Sequence, residues 1–175
     1  MTVPVLETER LRLRGWREGD LSAFAEFWAD DATARFVGGT SNREGAWRIM
    51  AMYLGHWVLR GYGLWALQDK ISGQWAGWCG PWNPEGWPER EIGWALARAF
   101  HGRGYATEAA LRARDFAYRD LGWPTAVSYI AAENGASQRV AARLGATFEC
   151  TGELRGKPVG VYRHPAPGAL ANRSN

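Results

Sequence analysis

The sequence predicts an α+β fold, in the broad sense an α/β mixed sheet: one domain whose central, mostly antiparallel sheet is flanked by helices. Three observations carry this. Segments with period-two alternation recur before residue 97 and are joined by turn chemistry, as antiparallel neighbours are. A single strand, helix and strand succession follows, which calls for one parallel pair in the same sheet. A chain of 175 residues with 46% hydrophobic side chains suffices for one core and leaves little for a second.

The elements follow in order. Residues 9–16, ERLRLRGW, put Leu11 and Leu13 on one face and Arg10, Arg12 and Arg14 on the other, a first half-buried strand. Asp20 precedes LSAFAEFWA, where Leu21, Phe24, Ala25 and Trp28 recur at helical spacing, so Asp20 reads as the N-cap of the first helix. Gly38 and Gly39 break the chain. Ser41 or Asn42 then caps a second helix with the stripe Trp47, Met50, Tyr53, Leu54 and Trp57, which Gly61 ends. Residues 62–68 and 74–82 flank turn residues and form a hairpin, the second and third strands.

After a Pro/Gly loop, Glu91, Gly93 and Ala95 alternate with Ile92, Trp94 and Leu96 in a fourth strand. Ala106, Ala109, Ala110, Ala113 and Ala117 mark the apolar face of a long helix that can approach a sheet closely. Glu108 with Arg112 and Asp115 with Arg119 are i,i+4 pairs on its outer face. Gly122 and Pro124 stop it, residues 125–131 are a fifth strand, and Asn134 opens a short helix closed by Gly145. Residues 146–150 and 159–164 close the sheet. The domain therefore spans residues 1–164, and residues 165–175, rich in Pro, Gly, Ala, Asn and Ser, form a flexible tail.

Composition narrows the function. The net charge of +3 and a pI near 9.1 favour an anionic partner without implying nucleic acid. Cys79 and Cys150 are too few for a disulfide framework or a cysteine-rich zinc site, which suits a reducing, cytoplasmic setting. No apolar run is long enough for a signal peptide or membrane span. The three histidines lack metal-ligand spacing, so no metal is expected, and no hydrolase triad signature is present. Tryptophan is over-represented, 11 of 175, and serves either as core filling or as an aromatic wall beside a ligand. A Trp-rich surface would also accommodate a homodimer.

The fourth strand runs into Phe100-His101-Gly102-Arg103-Gly104-Tyr105-Ala106-Thr107, which opens the long helix. Glycines there let successive amides point at an anion on the helix N-terminus, with Arg98 and Arg103 adding charge. The same glycines also suit an ordinary strand-to-helix turn. No lysine follows them, which excludes a nucleoside triphosphatase loop. The dinucleotide fingerprint fits Gly102 and Gly104 but fails at Thr107, leaving a nicotinamide enzyme a distant alternative.

The stretch EIGWALARAFHGRGYATEAALRARDFAY, followed after a strand by AAENGASQRVAARLGATFE, resembles the GNAT superfamily of acyl-CoA-dependent N-acyltransferases. Within it the chain is most similar to the RimJ/RimL-type ribosomal-protein N-acetyltransferases and the small-molecule acetyltransferases grouped with them, from Val5 to about His164. The resemblance implies a sheet splayed between the fourth and fifth strands, with acetyl-CoA in the opening. It implies backbone pairing of Trp94, Ala95 and Leu96 with the pantetheine arm, and amides from His101, Gly102, Arg103, Gly104, Tyr105, Ala106 and Thr107 on the pyrophosphate. His101 departs from the Gln, Arg or aromatic residue more frequent there. Asn134 and Ser137 begin the helix from which the family draws a proton donor, Tyr162 is a further donor or a cleft-lining residue, and Arg139 and Arg143 could reach the adenosine phosphates.

Acetyl transfer to an amine needs a neutral amine, a polarised carbonyl and a proton for the thiolate. Neutralising a lysine-like amine at pH 7 costs about 4.6 kcal/mol, an α-amino group about 1. Glu91 matches the acidic residue of related family members and is the expected base, acting through water. Its plainer role is an exposed strand residue paired with Arg90 or Arg98, and Asn134 is equally a helix cap. The expected activity is N-acetyltransfer from acetyl-CoA to a protein N-terminus or small-molecule amine, in a ternary complex. The alternative is a non-catalytic acyl-CoA-binding module of the same fold.

Overall fold

A computed structural model describes residues 2–171. In chain order it contains β1 (Leu6–Glu7), β2 (Leu11–Arg14), α1 (Leu21–Ala29), α2 (Asp31–Ala34), α3 (Arg43–Arg60), β3 (Trp65–Asp69), β4 (Trp75–Trp82), β5 (Glu91–Leu96), α4 (Tyr105–Arg119), β6 (Val127–Ile130), α5 (Gly135–Arg143), β7 (Thr147–Leu154), β8 (Lys157–Arg163) and α6 (Pro167–Ala171). The fourth and fifth strands expected from the sequence are thus β5 and β6. One eight-stranded sheet runs β1-β2-β3-β4-β5-β6-β8-β7. Every neighbouring pair is antiparallel except β5 and β6, which are parallel and share a single register pair, Glu91 with Val127. The mixed sheet and its splay are as expected.

Strand alternation sends neighbouring side chains to opposite faces. Leu11, Leu13, Trp65, Leu67, Ile92 and Leu96 pack on the alanines of α4. On the other face Trp75, Trp78 and Trp82 pack with Phe24, Phe27, Trp28, Met50 and Tyr53 of α1 and α3. Trp47, 55% exposed, is the one exposed tryptophan among the described residues, so the tryptophan count reflects the interior and not a Trp-rich surface. Trp47 and Leu54 leave the expected stripe of α3 for solvent, while Ala46 joins it.

Local signals held where the partner was local. Asn42 caps α3 by accepting from the Gly45 amide, and Gly61 ends it at φ 78°. They failed where a distant partner competed. Asp20 starts α1 without capping it, because both carboxylate oxygens bind buried Arg14 at 2.8 and 2.6 Å. Arg14 is accordingly interior and not on a solvent face. The expected tail contains α6, with residues 172–175 outside the described residues.

Candidate active site

Between β5 and α4 the chain turns through Gly102 and Gly104 at φ 74° and 80°, conformations that favour glycine. Gly104 is the N-cap of α4, whose first intrahelical bond here is Glu108 N–H to the Gly104 carbonyl. The amides of Tyr105, Ala106 and Thr107 precede that bond and carry the positive end of the helix dipole. The Thr107 hydroxyl is buried without a partner. Arg103 and Arg143 line the same surface concavity of about 560 Å³ as Gly102, Gly104 and Thr107, whereas Arg139 lies outside it. An anionic ligand fits this donor set.

Two side chains that the sequence alone did not assign to the site brace the loop. Arg10, just before β2, donates to the Arg103 carbonyl at 2.8 Å and to Glu108 at 2.7 Å, and Thr8 donates to Glu108 at 2.6 Å. Glu108 therefore faces the segment between β1 and β2 instead of pairing with Arg112. Burial would raise its pKa, yet the bonds from Thr8 and Arg10 outweigh that and hold it low. The only forewarning was arginine recurring on one face of the first strand, which also describes a solvated edge. His101 turns its ring back, and Nε2–H donates to the Leu96 carbonyl at 2.8 Å. A carbonyl only accepts, so Nε2 carries the proton.

The splay between β5 and β6 forms a fork, closed where Glu91 pairs with Val127 and bolted there. Val127 N–H donates to the Arg90 carbonyl at 3.0 Å, and the Ser128 hydroxyl to the Ile92 carbonyl at 2.7 Å. With its own proton so placed, Ser128 accepts from His164 Nε2 at 2.9 Å, and His164 Nδ1 faces the Arg114 guanidinium at 3.4 Å. Burial, then Arg114 and Arg163, push the His164 pKa down to about 3, so the ring is neutral and bonds in this one direction. Backbone groups along a strand alternate sides. The Ala95 carbonyl faces β4, where a Cβ on Gly77 would meet it at 2.2 Å, and the Ile92 and Leu96 carbonyls face the fork. Trp94 is thus the residue whose N–H and C=O open onto it.

On the α3 side of the sheet sits Glu91, 9% exposed. Trp87 Nε1–H donates to Oε2 at 2.8 Å and the Tyr129 amide to Oε1 at 3.3 Å. Burial pushes the carboxyl up to about 7, against these two bonds and the charge of Arg155. Glu91 is therefore not an exposed, Arg-paired strand residue but a carboxylate poised to exchange a proton near neutrality. The Arg155 guanidinium lies 5.0 Å from the Trp87 ring centroid, and the Tyr129 hydroxyl is buried beside the Glu89 backbone with no acceptor for its proton. Trp87, Tyr129 and Arg155 were missed because no local spacing links them.

The remaining candidates are placed differently. Asn134 accepts from the Ser137 amide at 3.1 Å, which occupies its side-chain oxygen as the cap of α5. Ser137 is half-buried in the first turn of α5. Tyr162 packs with Trp94 on the cluster beneath α5, opposite the face of Glu91. Among the described residues no three His, Cys, Asp or Glu side chains converge as a metal site, and no helix is long and apolar enough to cross a membrane.

Comparison with known proteins adds to this geometry. A family model described as an acetyltransferase (GNAT) domain matches residues 10–147. YkkB of Bacillus subtilis (strain 168), an uncharacterized protein, is 31% identical over 165 residues, 90% of this chain and 93% of its own. The crystal structure of an acetyltransferase from Agrobacterium tumefaciens str. C58 matches with a TM-score of 0.85 at 34% identity, covering 94% of this chain and 96% of that one. RimL, a ribosomal L7/L12 alpha-N-protein acetyltransferase solved in complex with coenzyme A, shares the fold with a TM-score of 0.77 at 19% identity, over 93% of this chain and 98% of that one.

Proposed function

We propose that this chain, which belongs to the acetyltransferase (GNAT) family and takes its acyl group from an acyl-CoA, moves an acetyl group to a primary amine by direct attack in a ternary complex. The observation that carries this is Glu91, a buried carboxyl near neutrality on one face of a fork whose other face offers an anion-binding loop. Acetyl-CoA supplies the activated thioester when bound. The amides from His101 to Thr107 hold its pyrophosphate, with Arg103 and Arg143 beside the phosphates. Trp94 pairs its backbone with the pantetheine arm, flanked by Ala95 and Leu96.

Glu91 takes the proton from the acceptor amine, directly or through water. Both of its oxygens accept a bond, from Trp87 and Tyr129, which holds the carboxylate still while leaving a lone pair free on each. Ser137 hydrogen-bonds the departing sulfur or relays a proton to it, and Asn134 orients the turn that carries Ser137. The protein is RimJ/RimL-like, and its two free cysteines suit the reducing cytoplasm.

Thermal shift and thiol release test this together. Acetyl-CoA at 100 times its dissociation constant should add about 2.7 kcal/mol of stability, which NADH and ATP should not match. Amine-dependent release of free coenzyme A thiol should follow. A larger shift with NADH overturns the cofactor assignment, and binding without thiol release across amines favours a non-catalytic acyl-CoA module.

A further inference from the structure

We propose that the acceptor is an amine that also bears a carboxylate, with Arg155 binding the carboxylate while the amino group meets Glu91. This rests on the reading of Glu91 as the base of an N-acetyltransferase. Arg155 and Gly156 form the two-residue turn between β7 and β8, at φ 53° and 74°. Such mirror-image turns favour Asn, Asp and Gly. Arg155 is the one non-glycine residue at positive φ among the described residues, so a long cationic side chain stands where turn chemistry alone would not put it.

That turn reaches the loop before β5. The guanidinium lies over Trp87, and the N–H of the same indole holds the Glu91 carboxylate. A ligand with its nitrogen at Glu91 therefore has its next polar group within range of Arg155. The carboxylates of that loop are already engaged: Glu85 by Arg60 at 3.0 Å, and Glu89 by Arg163 at 2.7 Å. Arg155 makes no ion pair among the described residues. A guanidinium presents a planar fork of donors matched to two carboxylate oxygens. The buried Tyr129 hydroxyl, on a ring 6.4 Å from that of Trp87, supplies another donor on the same face. An acceptor carrying only positive charge would meet Arg155 with repulsion, whereas a carboxylate-bearing amine satisfies both ends.

Matched acceptors test this on the full chain: an α-amino acid, its carboxamide, the corresponding amine lacking the group, and a peptide whose first residue is acidic. The amino acid and the peptide distinguish a main-chain from a side-chain carboxylate, and either one being favoured fits the proposal. The favoured one should exceed its uncharged counterpart in kcat/KM by about tenfold, chiefly through KM. Arg155→Asn, which suits the turn, should erase that preference while leaving acetyl-CoA affinity and the melting temperature in place. Arg155→Glu should reverse it. Equal use of all acceptors by the wild type, or a preference that survives in Arg155→Asn, overturns the proposal alone. Transfer to no amine overturns the acetyltransferase reading and this proposal with it.

Discussion

The two faces of the fork recruit their polar groups from different parts of the chain's chemistry. On the α4 face the donors are main-chain amides of one contiguous segment, held in place by two glycines at positive φ and braced by Arg10 and Glu108. On the α3 face the polar groups are mostly side chains: an accepting carboxylate from β5, a hydroxyl from β6, an indole donor from the loop and a guanidinium from a turn, with one main-chain amide, that of Tyr129, on the carboxylate. A backbone site depends on conformation, so it resists most side-chain changes and fails when φ is disallowed. A side-chain site keeps its shape under substitution and changes its chemistry outright. The first arrangement suits a ligand that is always the same, the second a ligand chosen residue by residue.

Glu91→Gln should break the second face without touching the first. Turnover should fall by about 10² to 10⁴, with the acetyl-CoA dissociation constant unchanged by calorimetry. Wild-type kcat/KM should rise through pH about 7 as Glu91 ionises, and the variant should lack that limb. The folded pKa is raised, so the stabilising influence of the protonated carboxyl is lost as pH rises through about 7. Ionised Glu91 should then cost roughly 3 kcal/mol, and the variant should melt above the wild type at pH 8. A comparable loss of cofactor affinity would show that the faces are coupled.

Gly104→Val inverts the experiment. Open space surrounds Gly104 apart from an Arg10 nitrogen that would lie 3.4 Å from an added Cβ, so the fold should survive while φ 80° is lost to a β-branched residue. Acetyl-CoA should bind about 10- to 100-fold more weakly. Unchanged affinity in the folded variant would reduce the loop to a turn. The smallest effect belongs to Arg103→Ala, which removes a charge but not the carbonyl that Arg10 grips. Affinity should drop about two- to fivefold at low salt and less at high salt. A salt-independent loss would mean that side chains matter on the cofactor face too.

The same division explains what could be read before the fold was known. Gly102, Gly104 and the opening of α4 lie within one short stretch, so the conformation of that turn was legible in the sequence. Glu91 stood out in the sequence through its position, but its environment did not, because Trp87, Tyr129 and Arg155 converge only after three separate segments fold. Asp20 and Glu108 show the limit most sharply. Each sat at a spacing that a helix alone would explain, and each was captured by a distant arginine, Asp20 by Arg14 of β2 and Glu108 by Arg10 just before that strand. Asn134 went the other way, since its local cap is what the structure retains.

The turn formed by Arg155 and Gly156 has an evolutionary consequence. Its flanks are fixed by the pairing of Leu154 with Lys157 and Glu153 with Pro158, so a change at residue 155 leaves the hairpin register intact. If Arg155 meets the acceptor as proposed, a single codon change there would alter what the acceptor end attracts while leaving the segment of Gly102 and Gly104 untouched. Gly102 and Gly104, at φ 74° and 80°, admit few replacements, so the two ends of the site are open to substitution to unequal degrees.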